Sequence, residues 1–321
     1  MRSGLFVVVL GLTACKGDPF RPDAQIDAPD VDAAGPAWFS PKPGDVKNWD
    51  IQLAAPYDFT TPRAMMIVNL WDVVPTPTTI TYADDTVPVT VPAGSQAGAI
   101  AMLKSQRTTV ICHVGLGAVN LADPDAMKIP GYAATLPDRP TPVAADSAIG
   151  WRTPAGANER FVDFRVAGAA KVLKKRVSLA KQIGCDGVLA YRNDGAQFPA
   201  DVGFLPITGE QQVTWITDVA KTAHEEMISI GGRGGHTAAY VDQLTDDYDF
   251  LVAERCAEIP DCGTAKPFIS ARRAVFALDY DVQEDGTPNV TATTCTRWAI
   301  DQVDGIVKKA TLDGTFRDTC G

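Results

Sequence analysis

The chain has 321 residues, 45% of them hydrophobic and 21% charged, which suits one large or two small globular domains with a substantial core. Its net charge of −10 argues against a nucleic-acid partner, because binding to phosphates requires clustered lysine and arginine side chains. Three histidines and no cysteine spacing typical of zinc sites lead us to expect no metal site, and we expect no cofactor.

The first residues indicate export. The apolar run Leu5–Leu12 is too short to span a bilayer as a helix, so we predict a signal peptide over residues 1–14. Leu-Thr-Ala-Cys at its end resembles a bacterial lipobox, in which Cys15 is lipidated and anchors the chain; the alternative is an ordinary signal peptide with an incidental cysteine. Lys16, in place of an aspartate, favours the outer membrane or the cell surface.

Residues 15–40 predict a tether. They contain five aspartates, several Ala and Pro, and few large apolar residues before Trp38, so they cannot bury enough surface to fold. Residues 41–321 are expected to form one folded domain.

Beyond the tether, short apolar runs alternate with amphipathic stretches. The predicted strands are Trp49–Ala54, Ala64–Asp72, Thr108–Val114, Arg160–Arg165, Cys185–Tyr191, Met227–Gly231, Tyr248–Glu254 and Arg273–Tyr280. The predicted helices are Ser95–Gln106, Ala169–Ile183, Gly209–Met227 with Thr208 as its N-cap, and Thr296–Lys309. Eight strongly apolar strands with intervening helices predict an α/β protein, a single (β/α)8 TIM barrel.

Two long segments interrupt this alternation. Pro75–Val91 is rich in Thr, Val and Pro and predicts a β-hairpin insertion, while Ala122–Thr153 is a long Pro-rich loop. Both are expected to rim the same end of the barrel.

Six cysteines follow Cys15 in a chain that we expect to be exported to an oxidising compartment. Cys256 and Cys262 close a tight loop and are the best disulfide candidates. Cys295 and Cys320 bracket the last predicted helix and are a second candidate pair. Cys112 and Cys185 lie in apolar runs, either as a further disulfide or as two buried thiols.

The active site of a TIM barrel lies at the carboxyl ends of its strands. The polar residues predicted there are Asp72, His113, Asp163, Arg165, Tyr191, Asp194, Arg233, Glu254, Asp279 and Tyr280. Asp163 and Arg165 are two apart on one strand and could simply form an ion pair, and His113 is either a pocket-wall histidine or a proton carrier. Glu254 directly follows a buried strand, where a charge is costly unless it is paired or used, and this favours a functional role.

At these residues the chain resembles glycoside hydrolase family 114, the endo-α-1,4-polygalactosaminidase-like TIM barrels. The resemblance covers nearly all of residues 45–321. The matching motifs are WDIQL (49–53), NLWD (69–72), VICH (110–113), ERFVDFR (159–165), CDGV (185–188) with DG (194–195), AH (223–224), AERCAEIPDC (253–262) and VFALDY (275–280).

The resemblance implies two catalytic carboxylates, one from the Cys-Asp-Gly-Val segment and one at Glu254. The chain departs from the family pattern in the first segment, where Leu189 and Tyr191 occupy the two usual acidic positions. We therefore expect Glu254 as acid/base, with Asp186 or Asp194 as its partner and Asp72 as a further alternative. The expected substrate-binding residues are Trp71, Asp72, His113, Asp163, Arg165, Tyr191, Arg233 and Tyr280.

Three hypotheses follow for a monomer attached to a membrane through its lipid anchor alone. The first is a glycoside hydrolase that cleaves α-1,4-linked galactosamine-type polysaccharide. The second is a family member without catalysis that binds a surface glycan, with Trp71 and Tyr280 as stacking faces for sugar rings. The third is a structural envelope lipoprotein with a vestigial pocket.

Overall fold

A computed structural model describes residues 36–82, 87–133, 135–154, 156, 158–235, 237–258 and 262–320. The predicted signal peptide, Cys15 and most of the predicted tether lie outside these residues. None of the helices in the described ranges is long and apolar enough to cross a membrane.

The chain forms strands and helices in alternation. The strands are β1 (Trp49–Gln52), β2 (Met65–Asn69), β3 (Thr78–Ile80), β4 (Val89–Val91), β5 (Thr109–Gly115), β6 (Ala118–Asn120), β7 (Ile149–Arg152), β8 (Glu159–Val162), β9 (Gly187–Tyr191), β10 (Ser229–Arg233), β11 (Phe250–Glu254), β12 (Ala274–Tyr280) and β13 (Asp304–Lys308). The helices are α1 (Ala99–Ser105), α2 (Ala167–Ile183), α3 (Gly209–Glu225), α4 (Val241–Leu244), α5 (Lys266–Ser270) and α6 (Thr291–Asp301).

Eight parallel strands form the central sheet in the order β1-β2-β5-β9-β10-β11-β12-β13. The interior of this curved sheet is filled by one apolar cluster with members from both edge strands, among them Trp49 on β1 and Ile306 on β13. A second cluster lies between the sheet and its helices. This arrangement is the (β/α)8 barrel expected from the sequence, and the prediction of fold class is confirmed.

Two predicted elements were wrong. The predicted strand Arg160–Arg165 corresponds to β8, which pairs antiparallel with β6 and β7 in a separate three-stranded sheet. The eighth barrel strand is instead β13, which lies inside the predicted helix Thr296–Lys309. That helix ends early because Gln302 adopts a left-handed conformation with φ of 57°, and the chain then continues as a strand.

Other local predictions hold. β3 and β4 form the antiparallel pair expected of the 75–91 insertion. Thr208 caps α3 through a capping box, in which its side chain accepts a hydrogen bond from the backbone of Gln211. The two expected disulfides, Cys256–Cys262 and Cys295–Cys320, are both present. Cys112 and Cys185, left open by the sequence, form a third disulfide.

The end of the predicted tether lies against the barrel. Trp38 stacks on His224, with ring centroids 4.2 Å apart, and its Nε1 donates to Asp249 at 3.0 Å. Asp249 immediately precedes β11, so these contacts are made at the amino-terminal end of the barrel strands. The domain therefore makes contacts from residue 38 onwards, slightly before the predicted boundary at residue 41.

The seam between β1 and β13 is closed without strand pairing between these two described strands. Asp318 forms an antiparallel bridge to Val307 on β13, and Arg317 Nε donates to the Trp49 carbonyl on β1 at 3.0 Å. A buried ion pair also crosses the seam, since Lys308 Nζ lies 2.9 Å from Asp50 Oδ1 and both side chains are at most 2% exposed. The carboxy-terminal segment, fixed by the disulfide at Cys320, thus completes the barrel wall.

We predict that Lys308→Ala destabilises the domain by about 3–5 kcal/mol, because it leaves the buried carboxylate of Asp50 without its cation. The matched control is Lys309→Ala, since Lys309 is the exposed neighbour and its loss is expected to change the free energy of unfolding by less than about 0.5 kcal/mol. Urea denaturation of both variants measures the difference. Equal effects of the two substitutions would show that the ion pair does not stabilise the seam.

Candidate active site

The alternation of side chains along the barrel strands directs a set of polar residues into the barrel mouth. Ile111, Leu189, Val252 and Leu278 belong to the interior cluster, and each is followed two positions later by a residue on the same face of its strand. Those residues, together with the last residue of β10, are His113, Tyr191, Arg233, Glu254 and Tyr280.

Arg233 holds Glu254 through both carboxylate oxygens. Its Nε donates to Oε2 at 3.1 Å and one terminal nitrogen donates to Oε1 at 3.0 Å, while the Tyr280 hydroxyl also donates to Oε1. The Arg233 side chain is 8% exposed but the Glu254 side chain is 29% exposed, so the carboxylate remains open to the mouth. Burial alone would raise the pKa of Glu254, but the charge and hydrogen bonds of Arg233 outweigh it and lower this pKa to about 2.

His113 and Tyr191 complete the surroundings of Arg233. The other terminal nitrogen of the guanidinium lies 3.2 Å from His113 Nε2, and the guanidinium carbon lies 4.9 Å from the centroid of the Tyr191 ring. Burial and the nearby positive charge of Arg233 hold the pKa of His113 well below its usual value, so its imidazole is neutral. Burial raises the pKa of Tyr191 to about 12, which keeps its phenol protonated.

Asp194 lies in the loop after β9 and is a second carboxyl group at the mouth. Its Oδ2 lies beside Gly234, where a β-carbon would approach it to 2.9 Å. Asp194 is buried, and its Oδ1 has no hydrogen-bond partner among the described residues. Burial therefore raises the pKa of Asp194 to about 6; the charge of Glu254 adds to this effect and that of Arg192 opposes it.

The loop that carries Asp194 is held by buried hydrogen bonds. Asn193 donates from its side-chain amide to the Tyr248 hydroxyl at 3.0 Å and accepts from Gln212 of α3 at 3.1 Å. Arg192 lies in the left-handed region with φ of 52°, which turns the chain sharply out of β9. The position of Asp194 is thus fixed from both the barrel and α3.

Two further arginines at the mouth were not singled out by sequence analysis. Arg192 lies over the Tyr191 ring and 3.6 Å from Glu159, and Arg255 lies over the Tyr280 ring and 2.6 Å from Glu258. No sequence spacing signals the pair of Arg192 and Glu159, because Glu159 reaches the mouth from the extra antiparallel sheet, whereas Arg255 and Glu258 are only three residues apart in the chain.

Asp72 and Trp71 lie on a short 3₁₀ turn after β2. Asp72 accepts hydrogen bonds from the hydroxyls of Tyr57 and of Ser95, the latter at 3.2 Å. The guanidinium of Arg176 lies 5.3 Å from the centroid of the Trp71 ring, and Trp71 itself is half-buried. These residues therefore form a second polar group on the rim, on a different strand end from Glu254.

The structure corrects our expectation that Asp186 is a partner carboxylate of Glu254. It precedes β9, accepts a hydrogen bond from the Val110 backbone at 2.8 Å, and pairs with Lys104. Glu254 is the last residue of a parallel strand of the same sheet, so the two carboxylates lie at opposite ends of the barrel. Asp186 therefore joins the starts of two strands and cannot take part in chemistry at the mouth.

Three other expected residues have structural contacts. Asp163 and Arg165 form a bidentate ion pair with both distances at 2.8 Å, and Arg165 also donates to the carbonyl of Leu205. This pair holds the loop before α3 and does not join the Arg233 group. Asp279 is fully buried and accepts a hydrogen bond from the indole of Trp298 at 2.9 Å.

Within the described ranges, no group of three or more His, Cys, Asp or Glu residues is arranged to hold a metal ion.

The family model for glycoside hydrolase family GH114 matches residues 28–321. The chain belongs to this family. No curated protein matches the chain in sequence. Leu189, which occupies one of the usual acidic positions, is fully buried in the interior cluster of this GH114 barrel, and Tyr191 occupies the other with its ring beneath Arg233.

Solved structures share the fold of this GH114 barrel. Ega3 of Aspergillus fumigatus, solved in complex with galactosamine, is 21% identical, with a TM-score of 0.66 over 88% of this chain and 97% of Ega3. The glycoside hydrolase domain of PelA from Pseudomonas aeruginosa is 12% identical, with a TM-score of 0.52 over 85% of this chain and 97% of that domain.

We predict that Asp194 makes stability depend on pH. Its native pKa of about 6 lies above the ordinary value of 3.8, so the native state binds the proton more tightly than the unfolded chain does. The stabilisation from this proton is complete below about pH 4 and is lost as the pH rises through 6, a change of about 3 kcal/mol.

Urea denaturation of the wild type and of Asp194→Asn between pH 4 and 7 measures this change, because the variant lacks the titrating carboxyl group. The wild type should lose stability relative to the variant as the pH rises. Parallel stability curves for the two proteins would contradict the assignment.

Proposed function

We propose that this GH114 barrel hydrolyses glycosidic bonds in a galactosamine-type polysaccharide, with Asp194 as the general acid and Glu254 as the ionised partner. Membership of the family and the galactosamine complex of Ega3 support the substrate class. The observation that carries the chemistry is the contrast between two carboxyl groups at one mouth: Asp194 is buried and its Oδ1 has no hydrogen-bond partner among the described residues, whereas both oxygens of Glu254 are bonded by Arg233.

The environments of the two groups match the two roles that glycoside hydrolysis requires. Asp194 retains its proton up to about pH 6 and can donate it to the glycosidic oxygen as the bond to the anomeric carbon breaks. Glu254 is ionised, and it stabilises the positive charge that develops on the sugar ring. It then acts either as a nucleophile on the anomeric carbon or as the base that removes a proton from the attacking water. This assignment replaces our expectation of Glu254 as acid/base, because Arg233 keeps its carboxylate ionised.

The charges at the mouth suit a cationic sugar. Arg233, Arg192 and Arg255 are neutralised by Glu254, Glu159 and Glu258 respectively. Asp72 is held by hydroxyl groups and forms no ion pair with another described residue. Its carboxylate is therefore an uncompensated charge among the described residues of the rim and can attract the ammonium group of a galactosamine unit.

We further propose that the domain is tethered at the bacterial cell surface through lipidated Cys15. The short apolar run before Leu-Thr-Ala-Cys and the acidic segment that follows support this proposal. Anchoring would keep the barrel beside an extracellular polymer without any membrane-spanning segment.

A second candidate function is glycan binding without turnover. Arg233 holds both oxygens of Glu254, and the usual acidic positions after Val188 are taken by Leu189 and Tyr191. In that case the mouth retains its polar and aromatic surfaces for binding a sugar, but it lacks a working pair of carboxyl groups and catalyses no reaction.

The test is the release of new reducing ends from a partly de-N-acetylated galactosamine polysaccharide. We predict that Glu254→Gln and Asp194→Asn each lower kcat by at least about 10²-fold, because each removes a group that acts in the transition state. Asp186→Asn is the matched control and should leave turnover unchanged, since Asp186 lies at the opposite end of the barrel. No turnover by the wild type, together with glycan binding that survives Glu254→Gln, would establish the second candidate instead.

The pH dependence of kcat/KM is a separate prediction. Because the acid must carry its proton, activity should fall as the pH rises above about 6, the pKa of Asp194. Because Glu254 must be ionised, activity should persist on the acidic side until the pH approaches about 2 or the fold is lost. Initial rates across pH 3 to 9 measure this profile, and a midpoint that stays the same in Asp194→Asn would exclude Asp194 as the acid.

A further inference from the structure

Each of the three guanidinium nitrogens of Arg233 has an acceptor nearby. One edge, formed by Nε and a terminal nitrogen, faces the carboxylate of Glu254, and the terminal nitrogen that bonds Oε1 also lies 3.4 Å from the Tyr280 hydroxyl. The remaining terminal nitrogen points away from Glu254, toward His113 Nε2 at 3.2 Å. One flat face of the group packs on the ring of Tyr191.

This geometry fixes the protonation of His113. A guanidinium carries only donors and keeps its proton throughout the range in which proteins are folded, so Nε2 of His113 must be the acceptor. The ring proton therefore lies on Nδ1, and the imidazole is neutral. The His113 ring also contacts Tyr191, with centroids 4.8 Å apart and planes inclined by 40°, which restrains the imidazole in this orientation.

We propose that His113 is a positioning residue that orients Arg233, and through it the carboxylate of Glu254. The Nε2 acceptor determines the rotation of the guanidinium in its own plane. With this acceptor in place, the single edge that carries Nε and the other terminal nitrogen presents parallel N–H groups to the two oxygens of Glu254. Without it, a buried N–H loses its partner, and the guanidinium can rotate toward Tyr280 and release one carboxylate oxygen.

The positional role is a property of the folded domain and can be measured whether or not the barrel turns over substrate. Its effect on rate rests on the proposed function, because there Glu254 is the reacting carboxylate. The experiment therefore separates the two with one readout of stability and one of catalysis.

The first arm compares His113→Gln with His113→Asn. The amide oxygen of Gln reaches approximately the position of Nε2, whereas that of Asn reaches only the position of Nδ1. Thermal unfolding should show His113→Gln close to wild type and His113→Asn lower in Tm by about 3 to 6 °C, the effect of an unpaired buried donor. Equal Tm values for the two variants would overturn the proposal.

The second arm is a double-mutant cycle between His113→Phe and Arg233→Met, which removes the donors and keeps an apolar stem. His113→Phe should lower Tm in the wild-type background and have less than half of that effect beside Met at position 233. Equal effects in the two backgrounds would overturn the proposal. If the double variant does not fold, the comparison of Gln with Asn decides.

The catalytic arm applies once turnover has been measured in the wild type. His113→Asn should lower kcat by about tenfold with KM changed by less than about twofold, and His113→Gln should restore kcat. The double-mutant cycle could show coupling in Tm while neither the wild type nor any variant turns over substrate. That result would support the positioning role and contradict the proposed hydrolysis. Turnover that is equal in the Asn and Gln variants would contradict the positioning role alone.

Discussion

The ion pair between Arg233 and Glu254 is the interaction on which the rest of the barrel mouth depends. Taking two charges out of water costs several kcal/mol per ion, and this cost is offset only when the geometry is good and the remaining donors find acceptors. Arg233 meets both conditions, because it bonds both oxygens of Glu254 and reaches His113 and Tyr280 with the rest of its edge. The positions of four side chains on four strands are thus mutually dependent.

The carboxyl end of β10, which carries Arg233, also determines the position of Asp194. Gly234 follows Arg233 with φ of 86°, and the absence of a side chain there leaves room for the Asp194 carboxyl group. Asp194 is buried and Glu254 is partly buried, but only Glu254 has donors bonded to both of its oxygens. The difference between their pKa values therefore arises from hydrogen bonding and charge pairing, since burial acts on both in the same direction.

The sequence predicted the barrel because most of its strands and helix ends are signalled by residues that are close together in the chain. Seven of the eight barrel strands are apolar runs bounded by polar turns, and the N-cap at Thr208 is a short-range signal. β13 was missed because Asp304–Lys308 is short and follows helical sequence without a proline, and its strand conformation depends on pairing with β12. β8 was assigned to the wrong sheet because an apolar run does not specify its partner.

The sequence predicted which residues lie at the carboxyl ends of the strands, but it did not predict the contacts between them. His113, Arg233, Glu254 and Tyr280 were expected at the mouth and they lie there, because alternation along a strand fixes which face a residue occupies. Asp186 was misplaced because it was suggested by the family resemblance, although the predicted strand Cys185–Tyr191 already puts it at the entry of β9 and away from the carboxyl ends. The contacts of Arg192 with Glu159 depend on the extra sheet, which no local pattern announced.

The seam between β1 and β13 has a consequence for how the protein folds. Residues 317 and 318 bond the two edge strands, and they follow all eight barrel strands in the chain. Until they arrive, β1 and β13 each present an open edge, of the kind that recruits other chains. A folding intermediate that lacks these contacts is therefore vulnerable to aggregation, and oxidation of Cys295 with Cys320 is the step that makes the closed state persistent.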